Sequence, residues 1–146
     1  MTSGKGRILC VDGDEDTCFV ESALFHAAGY EVETANAVAG AMEFALRGGF
    51  DLYLVAYRQR DGTGLELCRE LREFDAATPI LFFSAWVYES DRRDALEAGA
   101  TAFLRKPDDI ILLVETGAAL IGASQESATP LSTASGACAQ PTLYRS

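Results

Sequence analysis

Short apolar runs alternate with helical periods along most of this chain, and that alternation constrains the fold more than any other feature. Residues 7–11 read as a strand. A helix follows over about residues 14–28, with Val20, Leu24 and Ala27 on one face and Gly29 as its stop. Residues 30–34 form a second strand. Val38, Ala41, Met42, Ala45 and Leu46 then recur at helical spacing until Gly48 and Gly49 end the period. Residues 52–56 are apolar throughout, as expected of a strand covered on both faces. Asp61, Gly62, Thr63 and Gly64 are turn chemistry, and Leu67, Leu71 and Phe74 mark a third helix. Pro79 opens a strand over residues 80–84. A polar helix covers about residues 89–98, and a fifth strand residues 101–104. Pro107 and Asp108 start a last helix through about residue 122, with Ile110, Val114, Gly117 and Ile121 as its inner stripe.

Five strands alternating with five helices imply parallel βαβ units with right-handed crossovers. The predicted architecture is an open α/β sheet with helices on both faces. In such sheets the functional crevice lies beyond the carboxyl ends of the strands. That rule selects the segments after Val11, Ala56, Ser84 and Leu104. With 146 residues, 49% of them hydrophobic, the chain suffices for one domain with its own core. That domain is expected over residues 1–123. Residues 124–146 are rich in Ser, Thr, Ala and Pro without an apolar period, and read as a tail or linker.

Charge and cysteine usage exclude several classes. The net charge is −10, and Glu126 and Arg145 cancel in the tail, so the body carries all of it. Broad nucleic-acid binding needs Lys and Arg clusters that are missing here. No apolar run reaches the roughly 20 residues of a membrane-spanning helix. The opening apolar stretch runs straight into acids, unlike a secretory signal, so a cytoplasmic location is expected. Cys10, Cys18, Cys68 and Cys138 form no CxxC and have one histidine, His26, among them. They read as buried free thiols rather than a zinc site or a disulfide framework. His26 reads as a solvent-side helix residue.

Asp12-Gly13-Asp14-Glu15-Asp16 follows the first strand, Ala56-Tyr57-Arg58 the third, Ser84-Ala85 the fourth and Lys106-Pro107 the fifth. In their joint order, RILCVDGDED, FDLYLVAYRQRDGTG, TPILFFSA and GATAFLRKP resemble the receiver domain of bacterial two-component response regulators. The resemblance covers about residues 6–122. It implies a flavodoxin-like (βα)5 fold with a five-stranded parallel sheet. It also implies a site where two acids after strand one and an aspartate ending strand three hold Mg²⁺. That aspartate takes a phosphoryl group from a histidine kinase, and a Ser or Thr and a Lys bind the phosphoryl oxygens. The Lys–Pro bond in that family is usually cis.

Carried over position by position, the pattern departs twice. Asp12 fits the first acid, but Gly13 stands where the second is expected and Ala56 where the phosphoacceptor is expected. Arg60 replaces a customary proline. Ser84 and Lys106 are retained, and Phe103 matches an aromatic whose rotation accompanies switching. Alanine can neither attack phosphorus nor bind a metal, so Mg²⁺ affinity is expected to be lost, with no cofactor in its place. Lys106, without its usual carboxylate, is expected to turn to Asp12 or Asp14, with Arg58 joining the cluster. Asp14 also suits a helix N-cap. Trp86 is expected to overhang the vacated pocket as a lid or partner anchor. Tyr88, Leu112 and Ala119 are candidate partner-surface residues, and a homodimer through the fourth helix, fifth strand and fifth helix is one arrangement to test.

The reading that follows is a degenerate receiver, not an enzyme. It would act by protein–protein interaction with a histidine kinase or an output-domain partner, without contacting nucleic acid or membrane. One alternative is a conventional receiver whose acceptor Asp was replaced at Ala56. Restoring both acids would then restore metal binding on an otherwise intact scaffold. A second alternative is a flavodoxin-like nucleotide binder, but the turn after strand one carries Asp12, Asp14, Glu15 and Asp16, which repel phosphate.

Overall fold

Leu9 and Val11 pack to one side of their strand, and Ile8 and Cys10 to the other, so the whole segment needs cover on two faces. The computed structural model, which describes residues 5–85 and 88–127, supplies that cover. In chain order the strands are β1 (Arg7–Val11), β2 (Glu31–Ala35), β3 (Leu52–Val55), β4 (Arg58–Gln59), β5 (Gly62–Thr63), β6 (Ile80–Ser84) and β7 (Ala102–Arg105). Five of them form one parallel sheet in the order β2–β1–β3–β6–β7. The short β4–β5 pair is an antiparallel ribbon that the sequence reading did not anticipate. Helices α1 (Glu15–Ala27) and α5 (Leu113–Ser127) cover one face. Helices α2 (Val38–Arg47), α3 (Gly64–Phe74) and α4 (Glu89–Ala98) cover the other.

Several expected faces are corrected. On α1 the buried residues are Cys18, Glu21 and Phe25, whereas Val20, Leu24 and Ala27 face outward. The helix is apolar on several sides, and the acid at position 21 hid its inner row. On α2, Val38, Ala41 and Ala45 are buried as expected, but Leu46 is exposed. On α3, Leu67 and Leu71 are buried and Phe74 is exposed.

The last segment enters through a 3-10 turn, Ile110–Leu112, before α5 begins. Gly117 and Ile121 face inward as expected and are joined by Leu113 and Leu120, whereas Ile110 is exposed and Val114 half-buried. Gly117 allows the close approach of α5 to the sheet. A Cβ there would stand 2.8 Å from the Phe25 ring and 3.2 Å from Leu52. α5 continues to Ser127, past the expected boundary at residue 123. Among the described residues, Cys10, Cys18 and Cys68 are buried free thiols, and no helix is long and apolar enough to cross a membrane. Cys138 lies outside the described residues.

Candidate functional site at the carboxyl edge of the sheet

From β1 the chain crosses to β2 on one side and returns to β3 on the other, so the strand order reverses at the carboxyl ends of β1 and β3. Asp12 leaves β1 there, its N–H still bonded to the Ala35 carbonyl at 3.0 Å and only 3% of its surface exposed. Both its carboxylate oxygens are engaged. Oδ1 accepts the Asp14 N–H at 2.9 Å, and Oδ2 receives Lys106 Nζ at 2.6 Å.

Lys106 follows β7, held by its N–H to the Ser84 carbonyl at 3.1 Å and joined to Pro107 by a cis peptide. Ser84 ends β6, and its hydroxyl accepts the Tyr57 N–H at 3.2 Å. Ala56 follows β3, nearly buried, its N–H bonded to the Val11 carbonyl at 2.9 Å. A cleft of about 310 Å³ opens over these groups.

Glu21 also belongs to this cluster, and the sequence reading missed it. It projects from the inner face of α1, 2% exposed. Cys10 Sγ donates to its Oε1 at 3.4 Å, and Lys106 Nζ lies 3.2 Å from its Oε2. The second contact has ion-pair distance without hydrogen-bond geometry, so Oε2 has no directed donor. Burial pushes the Glu21 carboxyl up to about 7 against the pull of Lys106. Burial works against the charge on Lys106, but Glu21 and Asp12 outweigh it and hold the amine above the usual lysine value. Its hydrogen-bonded pairing with the Cys18 thiol, together with burial, raises the Cys10 thiol well above its ordinary range. The signal available in the sequence was spacing. Cys18, Glu21 and Phe25 recur at i, i+3 and i+7, one row of a helix.

At the neighbouring loop, Gly13 donates its N–H to the Arg58 carbonyl at 2.9 Å. A Cβ on residue 13 would stand 2.7 Å from that oxygen and 3.1 Å from the Gln59 Cα. Gln59, itself buried, donates its side-chain amide to the carbonyls of Ala56 at 2.7 Å and Val11 at 3.3 Å, tying the loop across both strand ends. Arg58 does not enter the acidic cluster. Its side chain is exposed and has no acid partner among the described residues. Arg60 is the basic residue that reaches this loop, 3.3 Å from Glu15 and donating to the Gly13 carbonyl at 3.4 Å. Asp14 caps α1 instead of meeting Lys106, accepting from Thr17 Oγ1 at 2.8 Å and the Asp16 N–H at 3.2 Å. The Thr17 bond leads the effects that lower its carboxyl below the ordinary range.

The other candidates separate. Phe103 is buried in β7 and stacks on Phe82 at 5.2 Å between ring centroids. Trp86 lies outside the described residues. Tyr88 is exposed at the N-terminus of α4, and Ala119 is exposed on α5. Leu112 is corrected as a surface candidate, because it is half-buried and packs on the core beneath α1 and α5. The 3-10 turn rotates it inward and leaves Ile111 outside, 84% exposed.

A doubly wound parallel sheet with a buried aspartate and a lysine converging beyond its carboxyl edge defines the class, the α/β receiver fold. The chain belongs to the response regulator receiver domain family, whose model matches residues 8–116. It is 33% identical over 137 residues to the transcriptional regulatory protein ZraR of Salmonella typhimurium strain LT2, covering 94% of this chain and 31% of that protein. The uncharacterized transcriptional regulatory protein YkoG of Bacillus subtilis is 32% identical over 106 residues, 73% of this chain and 46% of that one. The chain thus spans less than half the length of either relative.

Among solved structures, the chemotaxis protein CheY4 of Vibrio cholerae superimposes with a TM-score of 0.74 at 27% identity, over 80% of this chain and 99% of that one. A CheY-like receiver domain protein of Methanospirillum hungatei shares the fold, with a TM-score of 0.78 at 23% identity over 84% and 98%.

Proposed function

We propose that this receiver domain signals without being phosphorylated, by presenting its surface to a histidine kinase or an output-domain partner in the cytoplasm. One observation carries the reading: the residue following β3 at the site is Ala56, whose methyl group offers no oxygen to attack phosphorus. The surrounding groups are arranged consistently with that loss. Lys106 is paired with Asp12 and Glu21 and does not stand open for an incoming phosphoryl group.

The Mg²⁺ that the family implies does not fit the residues present. Both Asp12 oxygens have donors, Gly13 has no side chain, and the Arg58 carbonyl accepts the Gly13 N–H. No step is assigned to a metal, and the domain is read as a binding module rather than an enzyme.

The test is incubation with acetyl phosphate and Mg²⁺ followed by intact mass measurement. No phosphoryl adduct is expected. A stoichiometric gain of one phosphoryl group would overturn the reading.

A further inference from the structure

Lys106 reaches the site from the loop after β7 and meets two carboxylates of different origin. Asp12 belongs to the end of β1, and Glu21 to the inner face of α1. Two acids and one base leave a net negative charge in a site where both acids are almost wholly buried. Burial penalises such an excess, and a proton on one carboxyl relieves it. Asp12 is the poorer receiver of that proton, because both its oxygens already accept hydrogen bonds. Glu21 has one oxygen without a directed donor. The titratable groups around Glu21 are Cys10 from β1, Cys18 bonded to Cys10 from its own helix, Asp12 from the loop after β1 and Lys106 from the loop after β7. The Phe83 ring of β6 lies 5.5 Å from the Lys106 amine, and α5 adds apolar residues such as Leu113 to the same side of the sheet.

We propose that Glu21 is a proton-operated latch on Lys106. As a carboxylate it holds the amine from one side while Asp12 holds it from the other. As a neutral acid it releases Lys106 to Asp12 alone and frees the amine toward the cleft that Ser84 and Tyr57 line. The anchoring that a carboxylate at position 56 would give is thereby moved to α1, under control of the solvent proton rather than of phosphate. The latch builds on the reading of Ala56 as silent.

The sequence supplies an internal reference, because its two lysines are Lys5 and Lys106 and Lys5 is exposed. The experiment measures acetylation rates of both lysines in the full chain with an N-hydroxysuccinimide ester, by peptide mass mapping, between about pH 6 and pH 8.5. The Lys106/Lys5 rate ratio removes the common effect of pH on amines. The ratio in the unaltered protein is expected to rise about tenfold from the alkaline to the acidic end, the factor that one pKa unit represents. In Glu21→Gln it should be high and flat across the range, and Asp12→Asn, which leaves one acid for one base, should move the rise in the ratio to lower pH.

A flat ratio in the unaltered protein overturns the latch even if Glu21→Gln fails to fold. A pH dependence that survives in folded Glu21→Gln assigns the proton elsewhere and also overturns it. Phosphoryl uptake reads residue 56 and acetylation reads Lys106, so the two proposals fail separately.

Discussion

A Cβ on residue 13 would stand 2.7 Å from the Arg58 carbonyl, closer than real Cβ atoms come to a backbone oxygen. The loop after β3 has closed into the space that an acid at this position would occupy, and the Gly13–Arg58 hydrogen bond seals it. The sequence showed that an acid was missing. It did not show that the backbone had filled the gap, because backbone approach leaves no trace in residue type beyond the glycine itself. The expectation that restoring both acids restores metal binding therefore changes. The double variant Gly13→Asp with Ala56→Asp should lose about 1–3 kcal/mol of stability to overpacking and bind no Mg²⁺ by titration calorimetry. One equivalent bound at millimolar Mg²⁺ would show that the loop yields. Asp12 and Lys106 were legible by motif, and they do meet. Glu21 was not, because an acid between apolar helix residues reads as a solvated face until a strand and a lysine are placed against it.

The alternation of periods located every helix and every strand of the main sheet, to within a few residues at the ends. Helix faces were harder. α1 carries Phe19, Val20, Leu24 and Phe25, and periodicity alone cannot choose among overlapping apolar rows. The sheet chooses, taking Cys18, Glu21 and Phe25. Two phenylalanines six positions apart test that choice with identical chemistry. Phe25 is fully buried and packs edge-on to Tyr30, whereas Phe19 is 72% exposed. Phe25→Ala should cost about 3–5 kcal/mol in urea unfolding, and Phe19→Ala should stay within about 0.5 kcal/mol. Equal losses would contradict the placement of α1. The start of α5 was misread for a related reason. The 3-10 turn at Ile110–Leu112 advances the chain with a different period, so Leu113 takes the inner place expected of Val114, while Gly117 and Ile121 stay inward.

Over the whole molecule most acids lie on the surface, yet Glu21, one of the two buried acids among the described residues, makes folding depend on pH near neutrality. Glu21 titrates near 7 in the folded chain because burial opposes its charge, against an ordinary value of 4.5 in the unfolded chain. Between those values the folded state holds a proton that the unfolded state has released. Stability therefore falls as pH rises through that window, by up to roughly 3 kcal/mol, and flattens above about pH 7. Other carboxylates act in the opposite sense. The Val38 and Ala39 N–H groups lower Asp61. Burial works against the charge on Asp75, but hydrogen bonds from Thr78, Tyr53 and Ala77 outweigh it. Their contribution is present above the ordinary carboxyl range and is lost as pH falls through their depressed values. The two trends cross to give a stability maximum near the acidic edge of the Glu21 window. Urea midpoints measured at intervals from about pH 2 to pH 9 should show that maximum. Glu21→Gln should abolish the decline toward neutral pH while leaving the acid limb in place. A midpoint that climbs steadily from pH 5 to pH 8 in the unaltered protein, or a decline that persists in the variant, would remove Glu21 as its source.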